Sequence, residues 1–131
     1  MIGFNYFNYI WIAIAVVTFL ILVSFNIKAP YGRHSNSKWG PMVSNKWGWF
    51  LMELPALVLM PAFSLSGPAP KNNLTFLLIG LWLIHYGFRT LIFPFKLKTT
   101  TKTMPVFIVI CALVFNGVNG FLNGYYLGFL N

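Results

Sequence analysis

Four long apolar runs dominate the sequence, and each is long enough, or nearly so, to cross ~30 Å of hydrocarbon as an α-helix. Short polar gaps with proline, glycine or basic residues separate the runs. The sequence therefore predicts an all-α fold, a polytopic membrane helix bundle forming a single transmembrane domain over residues 1–131. The four predicted transmembrane helices are Tyr9–Ile27, Trp47–Phe63, Leu74–Phe95 and Val106–Leu130.

Composition argues against a soluble domain and against nucleic-acid binding. Hydrophobic residues make up 58% of the chain and charged residues 8%, whereas a soluble domain carries about 25% charged residues. The formal net charge is +8, but the basic residues lie almost entirely in the gaps between apolar runs and form no basic face. A lone cysteine, Cys111, lies inside an apolar run, which excludes a disulfide framework or a thiolate metal site.

The positions of the basic residues predict an orientation. Most of them lie in the first and third connections, at Arg33, Lys38, Lys46, Lys96, Lys98 and Lys102. The second connection and the N-terminal segment contain few. Because cytoplasmic loops are enriched in Lys and Arg, both basic connections are predicted to be cytoplasmic, and both ends of the chain to lie outside.

The only acidic side chain, Glu53, lies inside the second predicted helix. An ionisable group there costs ~2.5–3.5 kcal/mol on insertion scales and usually faces a partner inside the bundle. At ~1.5 Å per residue, Glu53 lies roughly 10 Å from the cytoplasmic face, and Arg89 and Tyr86 of the antiparallel third helix lie about 9 Å and 13 Å from it. All three groups are therefore predicted to meet at one depth.

Two interpretations of this cluster are open. In the first, Glu53 and Arg89 form a buried ion pair that holds two helices in register, with Tyr86 as a hydrogen-bonding neighbour. In the second, apolar surroundings keep Glu53 protonated, so that it donates with the Tyr86 hydroxyl to a substrate carbonyl oxygen, and Trp49 provides a flat apolar wall. His85 points about 100° away from Tyr86 on a helix, so we expect it outside the cluster, and a lone histidine predicts no metal site.

The fourth predicted helix carries two stripes of small or polar residues. Gly120, Gly124 and Gly128 are spaced by four, which predicts close backbone approach by a neighbouring helix. Asn116, Asn119 and Asn123 lie on an adjoining stripe. We expect their amides to bond to another helix or to a bound polar ligand.

The segments around these polar residues resemble the N-terminal half of the steroid 5α-reductase (3-oxo-5α-steroid 4-dehydrogenase) family. The resemblance lies in segments whose order and spacing match along nearly the whole chain. They are Ala29 to His34 with Trp39 to Pro41, Trp49 to Pro55, Ile84 to Tyr86 with Arg89 and Thr90, and Asn119 to Tyr126.

The resemblance implies an enzyme that reduces the 4,5 double bond of a 3-oxo-Δ4-steroid or a similar enone lipid, with NADPH as hydride donor. The catalytic Glu and Tyr of the family fall on Glu53 and Tyr86, with Arg89 in support. Its substrate-pocket positions fall on Trp49, Met52 and Phe115. Many animal members of the family have Gln where this chain has Met52, which implies a changed substrate preference rather than a loss of the chemistry.

The resemblance also implies that this chain holds the first four helices of a seven-helix family fold. Most NADPH contacts belong to the C-terminal half, so no residue here is assigned to the cofactor. The expected partners are the lipid bilayer, a steroid or other enone lipid and a missing C-terminal half. The alternatives are a truncated or non-catalytic membrane protein that binds lipid or assists assembly, and a relative of the polyprenol or enoyl-thioester reductases.

Overall fold

Four helices of this chain are long and apolar enough to cross a membrane, in a computed structural model that describes residues 2–98 and 102–130. They are Ile2–Ser24, Asn45–Ser66, Asn73–Lys96 and Val106–Leu130. The predicted all-α membrane bundle is confirmed for the described part of the chain, and it fits an integral multi-pass membrane protein. We name the α-helical segments α1 (Ile2–Ser24), α2 (Asn45–Ser66), α3 (Asn73–Gly87), α4 (Phe93–Lys96) and α5 (Val106–Tyr125).

The helix ends follow local capping chemistry. α1 starts and ends earlier than the predicted Tyr9–Ile27. It ends earlier because Asn26 adopts a left-handed conformation with φ of 49°, which closes a helix C-terminus. The Ser44 side chain accepts a hydrogen bond from the Trp47 backbone N–H and caps α2. Asn72 caps α3 in the same way by accepting from the Thr75 backbone N–H at 2.9 Å. These caps begin α2 and α3 slightly before the predicted helices.

The centre of the bundle is the contact between α2 and α5, which runs along most of both helices. Gly120, Gly124 and Gly128 all face α2, as their spacing predicted. A Cβ atom on Gly124 would lie 2.6 Å from the Met60 carbonyl oxygen and 2.8 Å from the Phe63 Cβ. The glycines therefore allow the two backbones to approach more closely than any side chain would permit.

A short antiparallel ribbon joins the first and third connections at one end of the bundle. Strand β1 (Met42–Ser44) pairs with β2 (Thr103–Pro105), with Val43 opposite Met104. The Ser35 hydroxyl adds a hydrogen bond to the Thr103 carbonyl oxygen at 2.6 Å. At the opposite end, the Ala69 backbone N–H donates to the Gly128 carbonyl oxygen. The two basic connections therefore share one end of the bundle, and the second connection lies at the other.

α1 lies at the edge of the bundle and has no buried residue. It contacts α5 through two aromatic pairs, Phe4 with Tyr125 and Trp11 with Phe115, at centroid separations of 5.4 Å and 6.1 Å. The apolar surface that α1 exposes is the kind that lipid covers in a membrane.

The glycine contact generates a stability prediction with a matched control. Gly124→Ala forces a methyl group against α2, so we expect a loss of about 1–3 kcal/mol in unfolding free energy. Gly117 is also on α5, but a Cβ atom on it would lie in open space, with no neighbouring side chain or helix within 4 Å. Gly117→Ala should leave stability unchanged or raise it by up to ~1 kcal/mol through helix propensity. Unfolding in detergent micelles measures both, and equal effects of the two substitutions would contradict this account of the packing.

Candidate active site

A cavity of about 370 Å³ opens between α2, the third transmembrane helix and α5. Its lining is mostly apolar and includes the aromatic rings of Trp49 and Phe115. Among the lining residues that can hydrogen-bond through their side chains are Glu53, Tyr86 and Arg89. A mostly apolar cavity with a few convergent polar groups is the usual form of a small-molecule site.

All six residues singled out from the sequence line this one cavity. They are Trp49, Met52, Glu53, Tyr86, Arg89 and Phe115. They come from three separate helices, and the common depth predicted for Glu53, Tyr86 and Arg89 agrees with this arrangement. The catalytic and substrate-binding roles of these residues remain predictions.

Glu53 is buried and forms an ion pair with Arg89. The Arg89 Nε and Nη2 atoms lie 2.9 Å and 2.5 Å from the same carboxylate oxygen, Oε1. The Glu53 side chain is 6% exposed and that of Arg89 is 35% exposed. The pair thus joins a buried acid on α2 to a guanidinium at the edge of the cavity, as one of the two interpretations predicted.

A π-helical turn, Phe88–Ile92, carries Arg89 between α3 and α4. Within it the Phe93 backbone N–H reaches back to the Phe88 carbonyl oxygen. Pro94 follows directly and has no N–H to donate to the Thr90 carbonyl, so regular α-helical bonding is interrupted here. The guanidinium also lies over the rings of Trp49 and Phe93, 5.0 Å and 5.8 Å from their centroids. These contacts hold Arg89 in a fixed position.

Asn116 of α5 binds the same part of α2. Its side-chain nitrogen donates to the Met52 carbonyl oxygen at 2.5 Å and lies 3.5 Å from Glu53 Oε2. The predicted interhelical role of this asparagine is confirmed. The longer contact is beyond the usual range of ~2.7–3.2 Å, so Oε2 has capacity for a further partner.

Tyr86 lies between aromatic neighbours on its own helix. Its ring centroid is 4.6 Å from that of Trp82 and 5.0 Å from that of His85. The expectation that His85 lies outside the cluster is wrong, because His85 lines the same cavity. The cavity is wider than one face of the helix, so the consecutive residues His85 and Tyr86 both border it.

Sequence reasoning missed several other lining residues. Tyr31 of the first connection, and Ile108 and Ala112 of α5, also border the cavity. Tyr31 belongs to one of the segments that carry the family resemblance, which was the available signal. Ile108 and Ala112 precede Asn116 by eight and four residues, so the stripe that includes Asn116 was the signal for them.

Comparison with curated proteins finds the same group of enzymes repeatedly. The chain is 37% identical over 120 residues to "Steroid 5-alpha-reductase DET2" of Gossypium hirsutum, a match that covers 88% of this chain and 46% of that protein. It is 32% identical over 124 residues to "3-oxo-5-alpha-steroid 4-dehydrogenase 1" of Bos taurus, covering 91% and 47%. The Homo sapiens protein of the same name is 35% identical over 100 residues, covering 74% and 38%.

The chain therefore spans about half the length of the curated relatives it matches. No family model matches it.

The ion pair generates a prediction about energetic coupling. Arg89→Leu leaves a buried carboxylate without its cation, and we expect it to destabilise the chain by about 1–3 kcal/mol, below the ~3–5 kcal/mol of a fully buried pair. The reduction follows from the 35% exposure of the Arg89 side chain. In a Glu53→Gln background the same substitution should cost less, with a coupling energy of about 0.5–3 kcal/mol. Unfolding of all four proteins in detergent gives this value, and additive effects would show that the pair is not coupled.

Proposed function

We propose that this chain, a homologue of the steroid 5-alpha-reductases, is the substrate-binding half of a membrane reductase that acts on the 4,5 double bond of a 3-oxo-Δ4-steroid or a similar enone lipid. The observation that carries the proposal is the joint position of Glu53 and Tyr86, from two different helices, in the lining of one apolar cavity. The proposed enzyme class is a 3-oxo-5α-steroid 4-dehydrogenase.

The size and lining of the cavity suit a rigid apolar ligand. Its volume of about 370 Å³ is at the small end of the ~300–1,000 Å³ typical of ligand pockets. Trp49 and Phe115 offer flat apolar surfaces, and Met52 offers an adaptable one. These three are the proposed substrate-binding residues, and the bilayer is the source from which a lipid substrate would enter.

Glu53 and Tyr86 are the proposed carbonyl-activating pair. Both Arg89 hydrogen bonds go to Oε1 of Glu53, so Oε2 is the atom left to meet a substrate oxygen. The proposed role requires the protonated acid, in which the Oε2 hydroxyl donates to the substrate while Oε1 still accepts from Arg89. The Tyr86 hydroxyl is the second donor. When the β-carbon of an enone is reduced, negative charge develops on the carbonyl oxygen, and donors placed there lower the barrier. Arg89 supports the pair by fixing the Glu53 carboxyl group.

The described cavity does not fit the phosphates of a nicotinamide cofactor. Among the described side chains that line the cavity, the Lys or Arg present is Arg89. Its guanidinium is already paired with Glu53. Phosphate groups are normally held by free Lys or Arg side chains or by backbone N–H groups at helix N-termini. In this class of reaction NADPH supplies the hydride, and we propose that a C-terminal half holds it.

The Glu53–Arg89 pair also favours a second candidate function, a non-catalytic lipid-binding or assembly module. An ion pair of this kind can have a purely structural role, in which it joins two helices and takes no part in chemistry. The two functions differ in what Glu53 and Tyr86 do once the cofactor-binding half is supplied.

Supplying that half tests the enzyme proposal. The chain is co-expressed with the C-terminal half of a curated relative, and NADPH oxidation is followed with testosterone, which has one 3-oxo group conjugated to a 4,5 double bond. Glu53→Gln and Tyr86→Phe should each lower kcat by about 10²–10³-fold, the usual effect of removing one donor to a developing oxyanion. Cys111→Ala is the control, because Cys111 is exposed outside the cavity. Turnover unaffected by Glu53→Gln would contradict its proposed role.

We also propose that the ribbon end of the bundle is cytoplasmic and that both ends of the chain lie outside. The ribbon joins the two connections that are rich in Lys and Arg, and such connections are retained in the cytoplasm.

Cysteine labelling in intact cells tests this orientation. In a Cys111→Ala background, Ser37→Cys should react with a membrane-impermeant maleimide only after the cells are opened. Pro70→Cys, in the second connection, should react without opening. Both positions are exposed in the structure, so access to the reagent depends on the side of the membrane. The reverse labelling pattern would overturn the proposed orientation.

A further inference from the structure

His85 is an ionisable side chain near the middle of the third transmembrane helix, Asn73–Lys96. It lines the cavity beside Tyr86 and is also exposed, so it lies where the cavity opens. Its ring meets the Tyr86 ring edge to face, at a centroid separation of 5.0 Å. Within the part of the chain that the structure describes, the imidazole forms no hydrogen bond. An ionisable group in a span is costly, and such groups commonly mark a substrate pathway or a proton relay.

The proposed reduction requires a proton at a position that Glu53 and Tyr86 do not supply. These two side chains donate to the carbonyl oxygen and stabilise the negative charge that develops there when the β-carbon takes up hydride. The resulting enolate then has to accept a proton at its α-carbon, which is bonded directly to the carbonyl carbon. A donor for the α-carbon therefore has to lie beside the pair, in the same cavity.

The chemistry of the lining residues favours His85 as this donor. Beyond the pair, the described lining side chains with N–H or O–H groups are Tyr31, Trp49, His85, Arg89 and Asn116. Indole, guanidinium and amide groups do not release a proton near neutral pH, and phenols are weak acids there. Imidazole is the side chain that most often transfers protons in that range. His85 also adjoins Tyr86 in space, whereas Tyr31 belongs to the first connection.

The edge-to-face contact gives the two rings separate targets. Consecutive residues differ by 100° around a helix, so His85 and Tyr86 approach the cavity from different directions. The two atoms that they have to reach, the α-carbon and the carbonyl oxygen, are only two bonds apart. One helix can therefore present a hydrogen-bond donor to the oxygen and an acid to the neighbouring carbon.

We propose that His85 is the catalytic acid that protonates the α-carbon of the substrate after hydride addition. The proposal rests on the proposed function and deepens it. In this step an N–H bond of the imidazolium breaks, and the electron pair of the enolate C=C bond forms the new C–H bond. The carbonyl group re-forms between Glu53 and Tyr86, and the imidazole is left neutral. A proton taken up from water restores the imidazolium, so the substrate gains one hydride from NADPH and one proton from solvent.

Isotope effects separate this protonation from hydride transfer. The chain is co-expressed with the C-terminal half of a curated relative, and NADPH oxidation is followed with testosterone in H₂O and in D₂O. The same assay uses NADPH deuterated at the transferred position. His85→Gln can form hydrogen bonds but cannot act as an acid, so kcat should fall by about 10²-fold, the lower end of a general acid's contribution. Protonation should then limit the rate, so the effect of the deuterated cofactor should shrink and the effect of D₂O should grow.

Rescue by imidazole is the second measurement. His85→Ala leaves space at an exposed position, so imidazole added to the buffer should restore turnover as its concentration rises. Tyr86→Phe should show no rescue, and Cys111→Ala should match the unchanged chain in rate and in both isotope effects. Retained testosterone binding shows that the cavity is intact in each variant. If His85→Ala does not fold, the isotope effects of His85→Gln decide the question.

Three results would overturn the inference. The first is an undiminished rate in His85→Gln. The second is a lowered rate with unchanged isotope effects and no rescue, which would indicate that His85 only holds the Tyr86 ring in place. The third is a shift of the isotope effects in Tyr31→Phe and not in His85→Gln, which would make Tyr31 the acid. Failure of the unchanged chain to oxidise NADPH with its C-terminal half would instead overturn the proposed function, and the inference with it.

Discussion

Lipid offers no hydrogen bonds, and this constraint determines how the four helices meet. A polar group within a span either forms a hydrogen bond with another part of the protein or remains unsatisfied. An unsatisfied group in hydrocarbon costs several kcal/mol of free energy. α2 shows the result most clearly. Its Glu53 pairs with Arg89, its Met52 carbonyl accepts from Asn116, and its Ala56 carbonyl accepts from the Trp82 indole at 2.8 Å. Polar contacts from both neighbouring helices therefore converge on α2.

Close packing makes these polar contacts possible. Without Cβ atoms at Gly120 and Gly124, α5 lies against the α2 backbone near Ala56 and Met60. The side chain of Asn116, one turn before Gly120, is then near enough to reach the Met52 carbonyl. On the opposite side, the π turn before Pro94 brings Arg89 to Glu53. The cavity lies where these contacts hold three helices around a space that no side chain fills.

Sequence reasoning succeeded where a regular helix was a sufficient description. Counting residues along antiparallel helices placed Glu53, Tyr86 and Arg89 together, and a spacing of four predicted which face of α5 packs closely. It failed for features that depend on non-local partners or on irregular backbone. The pairing of Val43 with Met104 joins segments far apart in the chain. The placement of His85 beside the cavity depends on the width of a space between three helices, which no helical period specifies.

The two interpretations of Glu53 concern different oxygen atoms of its carboxyl group. Because Arg89 engages Oε1 with two nitrogen atoms, one oxygen is sufficient to keep the helices in register. The other oxygen faces Asn116 at a distance too long for a strong bond, so it can take a further partner. A carboxyl group held by one oxygen and open at the other needs little reorganisation to meet a ligand, which is the condition for strong electrostatic catalysis. What bears on the proposed catalytic role is therefore the oxygen that Arg89 leaves open, and not the ion pair itself.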